Sequence, residues 1–157
     1  MAGKKKWNKW GKKTRFDTGE YHPKNKDKYK GKLPIIFRSS WEKQAMWWLD
    51  NHPGVVSWGA ESTVIPYYFK GKRHRYFIDL TATFTTSTGH QKYLIEIKPY
   101  KQTIPPVDSP RKKKKTLMQE AFTYGKNQAK WDAATAYAKR KGWKFIVVTE
   151  KQLFKDN

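Results

Sequence analysis

Two acidic residues lie where the surrounding sequence has the composition of a buried strand. Asp79 follows Tyr76-Phe77-Ile78, and Glu96 is enclosed by Ile95 and Ile97. The chain has only 13 Asp and Glu residues, most of them in polar stretches, so these two placements stand out. Carboxylates are seldom buried unless a partner compensates their charge. We therefore take Asp79 and Glu96 as candidates for a site that holds a cation.

Strand alternation places Glu96 and Lys98 on one face of their strand, about 7 Å apart along the chain. If the two strands form an antiparallel pair joined near Ser87-Thr88-Gly89, Asp79 can stand beside Glu96. Two carboxylates at this separation repel each other unless something neutralises them. Oxygen ligands without cysteine favour Mg²⁺ or Mn²⁺. A structural cluster of ion pairs on an exposed sheet face is the alternative, and these residues alone do not decide between the two.

A third acid, Glu42, lies on a predicted helix over residues 40–51. Together with Met46 and Leu49 it follows the helical spacing of the apolar stripe that would pack on the sheet. The same residue comes three positions after Ser39, which is the arrangement of a helix capping box. Glu42 can therefore complete the acidic site, cap the helix, or do both.

The elements that position these residues follow from hydrophobic periodicity and from turn signals. The predicted elements are a helix over 40–51, strands over 55–58 with 63–69, over 75–84 and over 92–98, a helical region over 116–141 that is one helix or two, and a strand over 143–149. A loop with several prolines separates the third strand from the second helix. This order predicts an α/β domain over residues 33–157, whose last strand reaches the sheet by a helical crossover.

Residues 1–32 have no apolar period and contain twelve Lys or Arg residues against three acids. This composition predicts an extended basic arm with aromatic anchors such as Trp7 and Trp10. The whole chain carries a net charge of +21, which favours a polyanion as partner, with nucleic acid as the first candidate. A solvated tail that only keeps the protein in solution is the alternative for the arm.

Composition excludes several classes of function. The chain has no cysteine, which rules out disulfides, thiolate zinc sites and cysteine nucleophiles. Its four histidines lack metal-ligand spacing, and the Ser39-Ser40 pair has no histidine nearby, as a serine hydrolase would need. No stretch approaches the roughly 18 apolar residues of a membrane span, and no signal-peptide core follows the N-terminus. We expect a soluble, non-secreted protein that does not bind membranes.

Basic clusters flank the proposed acidic site along the sequence. One cluster leads into the Asp79 strand, and a five-residue run follows the loop after the Glu96 strand. Contacts of this kind bind phosphates and carry no sequence information. The predicted DNA-binding residues are Arg73, His74, Arg75, Arg111, Lys112, Lys113, Lys114, Lys115, Lys126 and Lys130.

Several stretches taken together resemble a known nuclease superfamily. They are Arg38-Ser39-Ser40-Trp41-Glu42, Trp47-Trp48-Leu49-Asp50, Trp58-Gly59-Ala60-Glu61, Ile65-Pro66-Tyr67, Arg75-Tyr76-Phe77-Ile78-Asp79, Ile95-Glu96-Ile97-Lys98-Pro99, Lys130-Trp131, and Lys144-Phe145 after Gly142. In this order they are similar to the PD-(D/E)XK nucleases, and more narrowly to the TnsA-like endonucleases and the head completion nucleases of large contractile-tailed phages. The chain departs from the family's usual pattern in having Ile78, not proline, before Asp79.

The resemblance implies a restriction-endonuclease-like core in the order α-β-β-β-α-β, with a mixed sheet flanked by helices. It implies that Asp79 and Glu96 hold Mg²⁺ or Mn²⁺, with the Ile97 carbonyl as a third ligand. Glu42 would complete the metal site, and Lys98 would contact the scissile phosphate and the attacking water. The implied reaction is hydrolysis of phosphodiester bonds in double-stranded DNA.

The resemblance also implies a place of action. The protein would process or bind the packaged DNA end during phage head completion, in the host cytoplasm or in the virion head or neck, with portal, head or neck proteins as partners. Two alternatives stay open. One is a non-catalytic head or neck protein that binds the DNA terminus or portal, and the other is a transposition-type end nuclease with a partner transposase.

Overall fold

The computed structural model describes residues 18–155 of the chain. The helices are α1 (Ser40–Asn51), α2 (Lys114–Lys141) and α3 (Glu150–Leu153), and the strands are β1 (Gly19–Glu20), β2 (Ile36–Phe37), β3 (Val55–Ala60), β4 (Val64–Phe69), β5 (Lys72–Phe77), β6 (Leu80–Thr86), β7 (Gly89–Ile97) and β8 (Lys144–Val148). Short 3-10 helices cover Lys26–Lys28 and Tyr100–Gln102. None of the helices in this part of the chain is long and apolar enough to cross a membrane.

A four-stranded mixed sheet with the order β3-β6-β7-β8 forms the centre of the fold. The first three strands are antiparallel neighbours, and β8 lies parallel to β7. A parallel neighbour requires a crossover connection, which α2 provides. The predicted α/β fold, with a mixed sheet flanked by helices, is therefore confirmed.

The two faces of β7 belong to different parts of the core. Ile95 and Ile97 pack with α1, including Leu49. Leu94 packs on the opposite face with Trp131 of α2 and with the β4–β5 hairpin. Alternation then places Glu96 on the face that α2 covers. The acid therefore lies between the sheet and a helix, and the alternative of an exposed sheet face does not apply.

The strand predicted over 75–84 is in fact two strands, so this prediction was wrong. β5 pairs with β4 in a separate hairpin, while β6 joins the central sheet. The partner changes at Ile78, whose N–H donates to the Thr63 carbonyl, and at Asp79, whose carbonyl accepts from the Glu61 N–H. From Tyr76 to Phe84 every second residue is apolar, and this period runs through the junction without a break. The sequence period therefore does not reveal the change of partner.

Glycines mark one of the turns and the end of the second helix. Lys70-Gly71 joins β4 to β5 with positive φ at both positions, as a two-residue hairpin turn requires. Gly142 ends α2 in the left-handed conformation, with φ of 74°. The second helix is unbroken although it contains Gly125. This glycine lies beside the Phe69 ring, and such packing outweighs the cost of a mid-helix glycine, about 1 kcal/mol.

Residues 18–32, the second half of the predicted arm, pack against the domain instead of extending away from it. The rings of Tyr21 and Tyr29 meet Trp58 edge-on, with centroids 5.7 and 4.8 Å away. The predicted anchors Trp7 and Trp10 lie outside the described residues. The aromatic residues thus anchor this segment on its own domain, a surface that their sequence alone does not identify.

Asp50, at the end of α1, fastens the same segment. The side chain is fully buried, and its Oδ2 accepts hydrogen bonds from the Tyr21 hydroxyl and the Lys24 N–H, both at 2.7 Å. Its Oδ1 accepts from the Asn25 N–H at 2.9 Å. The Lys28 ammonium donates to the Asp50 carbonyl at 3.0 Å. A single acid therefore ties four residues of the N-terminal segment to the helix.

Candidate active site

Asp79 occupies the junction between β5 and β6. The last paired residues of β6 and β7 are Leu80 and Ile95, so the next position along each strand brings Asp79 beside Glu96. The Asp79 Oδ2 accepts a hydrogen bond of 2.8 Å from the Ile97 N–H. Burial raises the pKa of Asp79 well above its usual range, and the negative charge of Glu96 raises it further. The two acids are therefore neighbours that repel each other, as alternation predicts.

Glu96 is buried, with 3% of its surface exposed, and both of its carboxylate oxygens are engaged. The Tyr76 hydroxyl donates to Oε2 at 2.6 Å, and the Lys98 ammonium lies 3.2 Å from Oε1. Burial raises the pKa of Tyr76, and Glu96 adds to this effect. Sequence reasoning missed Tyr76. Tyr76 and Ile78 are two residues apart and both belong to the core that α2 covers. This spacing is the sequence signal that indicates an inward-facing tyrosine.

Glu42 lies at the N-terminus of α1 and serves the helix cap. Its N–H donates to the Ser39 hydroxyl at 3.1 Å, and its Oε2 accepts from the Arg38 N–H at 2.9 Å. Burial raises the pKa of Glu42, and the negative charge of Glu96 adds to the rise, so the two carboxylates are close enough to interact electrostatically. The predicted capping role is therefore confirmed, and the role of Glu42 in the acidic site stays a prediction.

The donor set fits a hard divalent cation. Asp79 and Glu96 supply carboxylate oxygens, the ligands that Mg²⁺ and Mn²⁺ prefer, and a cation between them would relieve the repulsion that raises the pKa of Asp79. Within residues 18–155 no three histidine or acidic side chains converge as a ready ligand set. Two acids are thus held at the site by the sheet, while Glu42 approaches from α1.

A second lysine approaches the same acids from α2. The Lys130 ammonium lies 5.4 Å from the centre of the Tyr76 ring, whose hydroxyl binds Glu96. Burial lowers the pKa of Lys130, as does the positive charge of Lys98, whereas Glu96 and Asp79 oppose the change. Sequence reasoning assigned Lys130 to DNA binding, and the fold brings it to the acidic pair.

The β4–β5 hairpin separates the first predicted basic cluster into two faces. Arg73 and Arg75 are exposed, and the guanidinium of Arg75 lies 5.1 Å from the centre of the Phe77 ring. His74 is half-buried on the other face and stacks on Tyr67, with ring centroids 5.2 Å apart. The two arginines are thus available to a polyanion, while the histidine packs within the protein.

The basic run at residues 111–115 leads into α2. Lys112 pairs with Glu120 at 2.8 Å and donates to the Val107 carbonyl. The remaining members of the run are exposed, and Lys126 is half-buried further along the helix. Lys112 therefore fastens the loop, and the other cations of the run face solvent.

A recess of about 220 Å³ opens where β7 ends. Ile97 and Lys98 line it from the strand, and Arg38 and Trp41 line it from the start of α1. Arg38 also forms an ion pair with Glu61. The recess exposes Lys98 beside the buried Glu96, so a phosphate can reach the lysine from solvent.

Comparison with known proteins identifies relatives of this chain. Residues 52–150 match the profile of the family described as "TnsA-like endonuclease N terminal". The chain is also similar to the "Head completion nuclease" of Enterobacteria phage T4, with 41% identity over 142 residues that cover 87% of this chain and 93% of that protein. No solved structure matches the chain. The family match includes Asp79, Glu96 and Lys98 and begins after Glu42.

Proposed function

The chain belongs to the TnsA-like endonuclease family, and we propose that it is a divalent-metal-dependent DNA endonuclease of the PD-(D/E)XK type. We further propose that it acts in phage head completion, as the name of the T4 relative describes for that protein. Its place of action is then the host cytoplasm during assembly, or the head or neck of the virion, where portal, head or neck proteins are partners.

The observation that carries this proposal is the juxtaposition of Asp79, Glu96 and Lys98. In a chain with a net charge of +21, two acids lie side by side, and Glu96 is buried between the sheet and α2. A structural ion pair needs only one acid for Lys98, and the second acid adds repulsion. A site that binds a divalent cation through the two acids and a phosphate through Lys98 accounts for all three residues.

The divalent ion, when bound, would act as a Lewis acid on the phosphoryl oxygen and make water a better nucleophile at neutral pH. Asp79 and Glu96 would hold it, with Glu42 and the Ile97 carbonyl as further ligands. The Tyr76 hydroxyl fixes the orientation of Glu96, and the Ile97 N–H fixes that of Asp79. Both donors therefore organise the carboxylates before the ion arrives.

Lys98 is suited to electrostatic stabilisation. Its ammonium is 3.2 Å from Glu96 and lines the open recess, where it can contact a phosphate that becomes more negative during reaction. Lys130 lies beside Tyr76, close enough for its charge to interact with Lys98, Glu96 and Asp79, and supplies a second positive charge near the acidic pair. The two lysines would together bind the scissile phosphate.

Affinity for double-stranded DNA would come from the exposed cations. Arg73 and Arg75 on the hairpin, the run at 111–115 and Lys126 on α2 are proposed to contact phosphates without reading sequence. His74 is less suited to this role, because it stacks on Tyr67. Binding should therefore weaken steeply as salt concentration rises.

The test is cleavage of plasmid DNA with Mg²⁺ or Mn²⁺ by the full chain and by Asp79→Asn. We expect the variant to lose at least about 100-fold in rate, roughly 3 kcal/mol of transition-state stabilisation, and chelation of the metal to stop the unmodified protein. Asp132→Asn is the matched control, since Asp132 is an exposed acid on α2. Equal rates for the two Asp79 forms would contradict the catalytic site, and duplex binding without cleavage under any divalent metal would support the non-catalytic head or neck role.

A further inference from the structure

A second cavity opens beside the proposed active site, between the loop that follows β7 and the first half of α2. Its volume is about 440 Å³, within the range of about 300–1,000 Å³ that is typical of small-ligand pockets. Gln102 lines both this cavity and the recess that exposes Lys98. Asn127, on the wall formed by α2, lies three residues before Lys130. The cavity is therefore adjacent to the position proposed for the scissile phosphate.

A buried polar group lines this cavity. Asn127 is 4% exposed, and its Nδ2 has no hydrogen-bond partner among residues 18–155. A buried amide without a partner destabilises the folded protein, and such groups are uncommon unless they serve a further role. The amide is thus a donor that the protein leaves without an acceptor at the wall of the cavity, and a rotation of the side chain would present Nδ2 to a ligand there.

The charges of the cavity disfavour a phosphate as its occupant. Lys112 is already paired with the carboxylate of Glu120 at 2.8 Å, and Glu120 would repel an anion. The other cation of the lining, Lys101, is exposed to solvent. The ion pair also holds the loop against α2, since Lys112 belongs to the loop and Glu120 to the helix. A neutral polar group therefore suits this space better than a second phosphate of the DNA backbone.

The remaining lining has the chemistry that binds a nucleobase. Tyr124 offers an aromatic ring, and Asn127, Gln102 and Gln119 offer amides. Proteins that bind unpaired nucleotides stack the bases on aromatic side chains and read their edges with groups of this kind. A base that is still paired could not reach the cavity, because its edge is occupied and its faces are stacked.

We propose that this cavity receives one unpaired base of the DNA, next to the scissile phosphate. Asn127 donates a hydrogen bond from Nδ2 to an acceptor on the base, and Tyr124 stacks on its face. The inference rests on the proposed function, since it places the base relative to the site formed by Asp79 and Glu96. It implies that the enzyme prefers DNA with unpaired nucleotides to a fully paired duplex.

The experiment compares two DNAs with equal numbers of phosphates, a blunt duplex and a duplex with a three-nucleotide overhang of either polarity. Binding is measured by fluorescence anisotropy in the Asp79→Asn background, which prevents cleavage, at one fixed salt concentration. We expect the overhang to bind about tenfold more tightly, as stacking of one base provides. The fluorescence of 2-aminopurine in the overhang should be quenched on binding.

Asn127→Leu added to this background tests the amide and should remove most of the preference for the overhang. The substitution keeps the branched shape and the number of heavy atoms of the side chain and eliminates the unpaired donor, so folding should be maintained, which urea unfolding checks. Tyr124→Ala is the second variant and should abolish the 2-aminopurine quenching. Gln128→Leu is the matched control, because Gln128 is adjacent in α2 and is not part of the lining.

Equal affinity for the blunt and overhang DNAs would overturn the proposal. An undiminished preference in both Asn127→Leu and Tyr124→Ala would also overturn it. Failure of the proposed function would be seen separately, as absence of metal-dependent cleavage by the unmodified chain. A preference that depends on Asn127 would support the base cavity even in that case.

Discussion

Two aspartates of this protein occupy opposite kinds of environment. Asp50 is fully buried and accepts hydrogen bonds from Tyr21, Lys24 and Asn25. Asp79 accepts one side-chain hydrogen bond within the described residues, from the Ile97 N–H, and lies beside other acids. Hydrogen bonds from the protein thus compensate the charge of Asp50, whereas the neighbours of Asp79 add repulsion.

The pKa of Asp50 is lowered and that of Asp79 is raised, which reflects this difference in environment. Burial raises the pKa of Asp50, but the hydrogen bonds from Tyr21, Lys24 and Asn25 outweigh it, so that the pKa is lowered overall. Burial also raises the pKa of Asp79, and there Glu96 and Glu42 add to the rise. Hydrogen-bond donors make an acid structural, whereas neighbouring acids create a position that a cation would stabilise.

The difference between the two aspartates is tested most directly by Asp79→Asn, with both activity and stability measured. We expect cleavage to fall by at least about 100-fold, while the free energy of unfolding in the presence of a chelator rises by roughly 1 kcal/mol. The asparagine keeps an oxygen for the Ile97 N–H and removes the charge that Glu96 repels. Plasmid cleavage and urea unfolding followed by tryptophan fluorescence provide the two measurements.

A less stable Asp79→Asn protein would show that the acid is structural, as Asp50 is. Asp132→Asn serves as control in both measurements, and an exposed acid of this kind should alter neither.

Asp50→Ala should have the reverse effect. The substitution leaves the Tyr21 hydroxyl and the Lys24 and Asn25 amides without their acceptor, so we expect a loss of about 2–4 kcal/mol in the free energy of unfolding. Cleavage by the protein that remains folded should be unchanged, because no contact of Asp50 reaches the acidic pair. Limited proteolysis should cut within residues 18–32 before it cuts the central sheet. Loss of activity at full folding would link this segment to the site and contradict the separation of the two regions.

The acidic pair could be predicted from sequence because strand alternation and one turn are enough to bring Asp79 to Glu96. The positions of Tyr76 and Lys130 beside this pair could not be predicted in the same way. They reach the site through packing of the hairpin and of α2 on the sheet, and the sequence does not record which faces meet. The split of strand 75–84 has the same cause, since a change of pairing partner leaves the alternation intact. The packing of residues 18–32 could not be predicted from composition. Their basic character indicated an extended arm, whereas hydrogen bonds to Asp50 hold them on the domain.

Tyr76→Phe should weaken the site without removing a ligand. The hydroxyl that fixes Glu96 at 2.6 Å is lost while the ring stays in place. We expect the cleavage rate to fall about tenfold, and more metal to be needed for half-maximal activity, in line with the loss of an outer-shell partner. Titration of activity with Mg²⁺ measures this shift. Tyr68→Phe is the control, since Tyr68 is exposed on the same hairpin, and an equal effect in both variants would contradict a specific role for Tyr76.

The smallest expected effect is the acid dependence of stability that Asp50 contributes. Its pKa is lower in the folded chain than the value of about 3.9 in the unfolded chain. The stabilisation is therefore fully present above about pH 4 and is lost as pH falls through the folded pKa. Asp50→Asn should show a shallower decline of the unfolding free energy below pH 4, and Asp108→Asn, at an exposed loop position, should keep the slope of the unmodified protein. Urea unfolding at pH 5, 4 and 3, values chosen to bracket this range, measures the slopes. Identical slopes for Asp50→Asn and the unmodified chain would mean that the donors around Asp50 do not favour its charged form, and the contrast with Asp79 would then rest on the site alone.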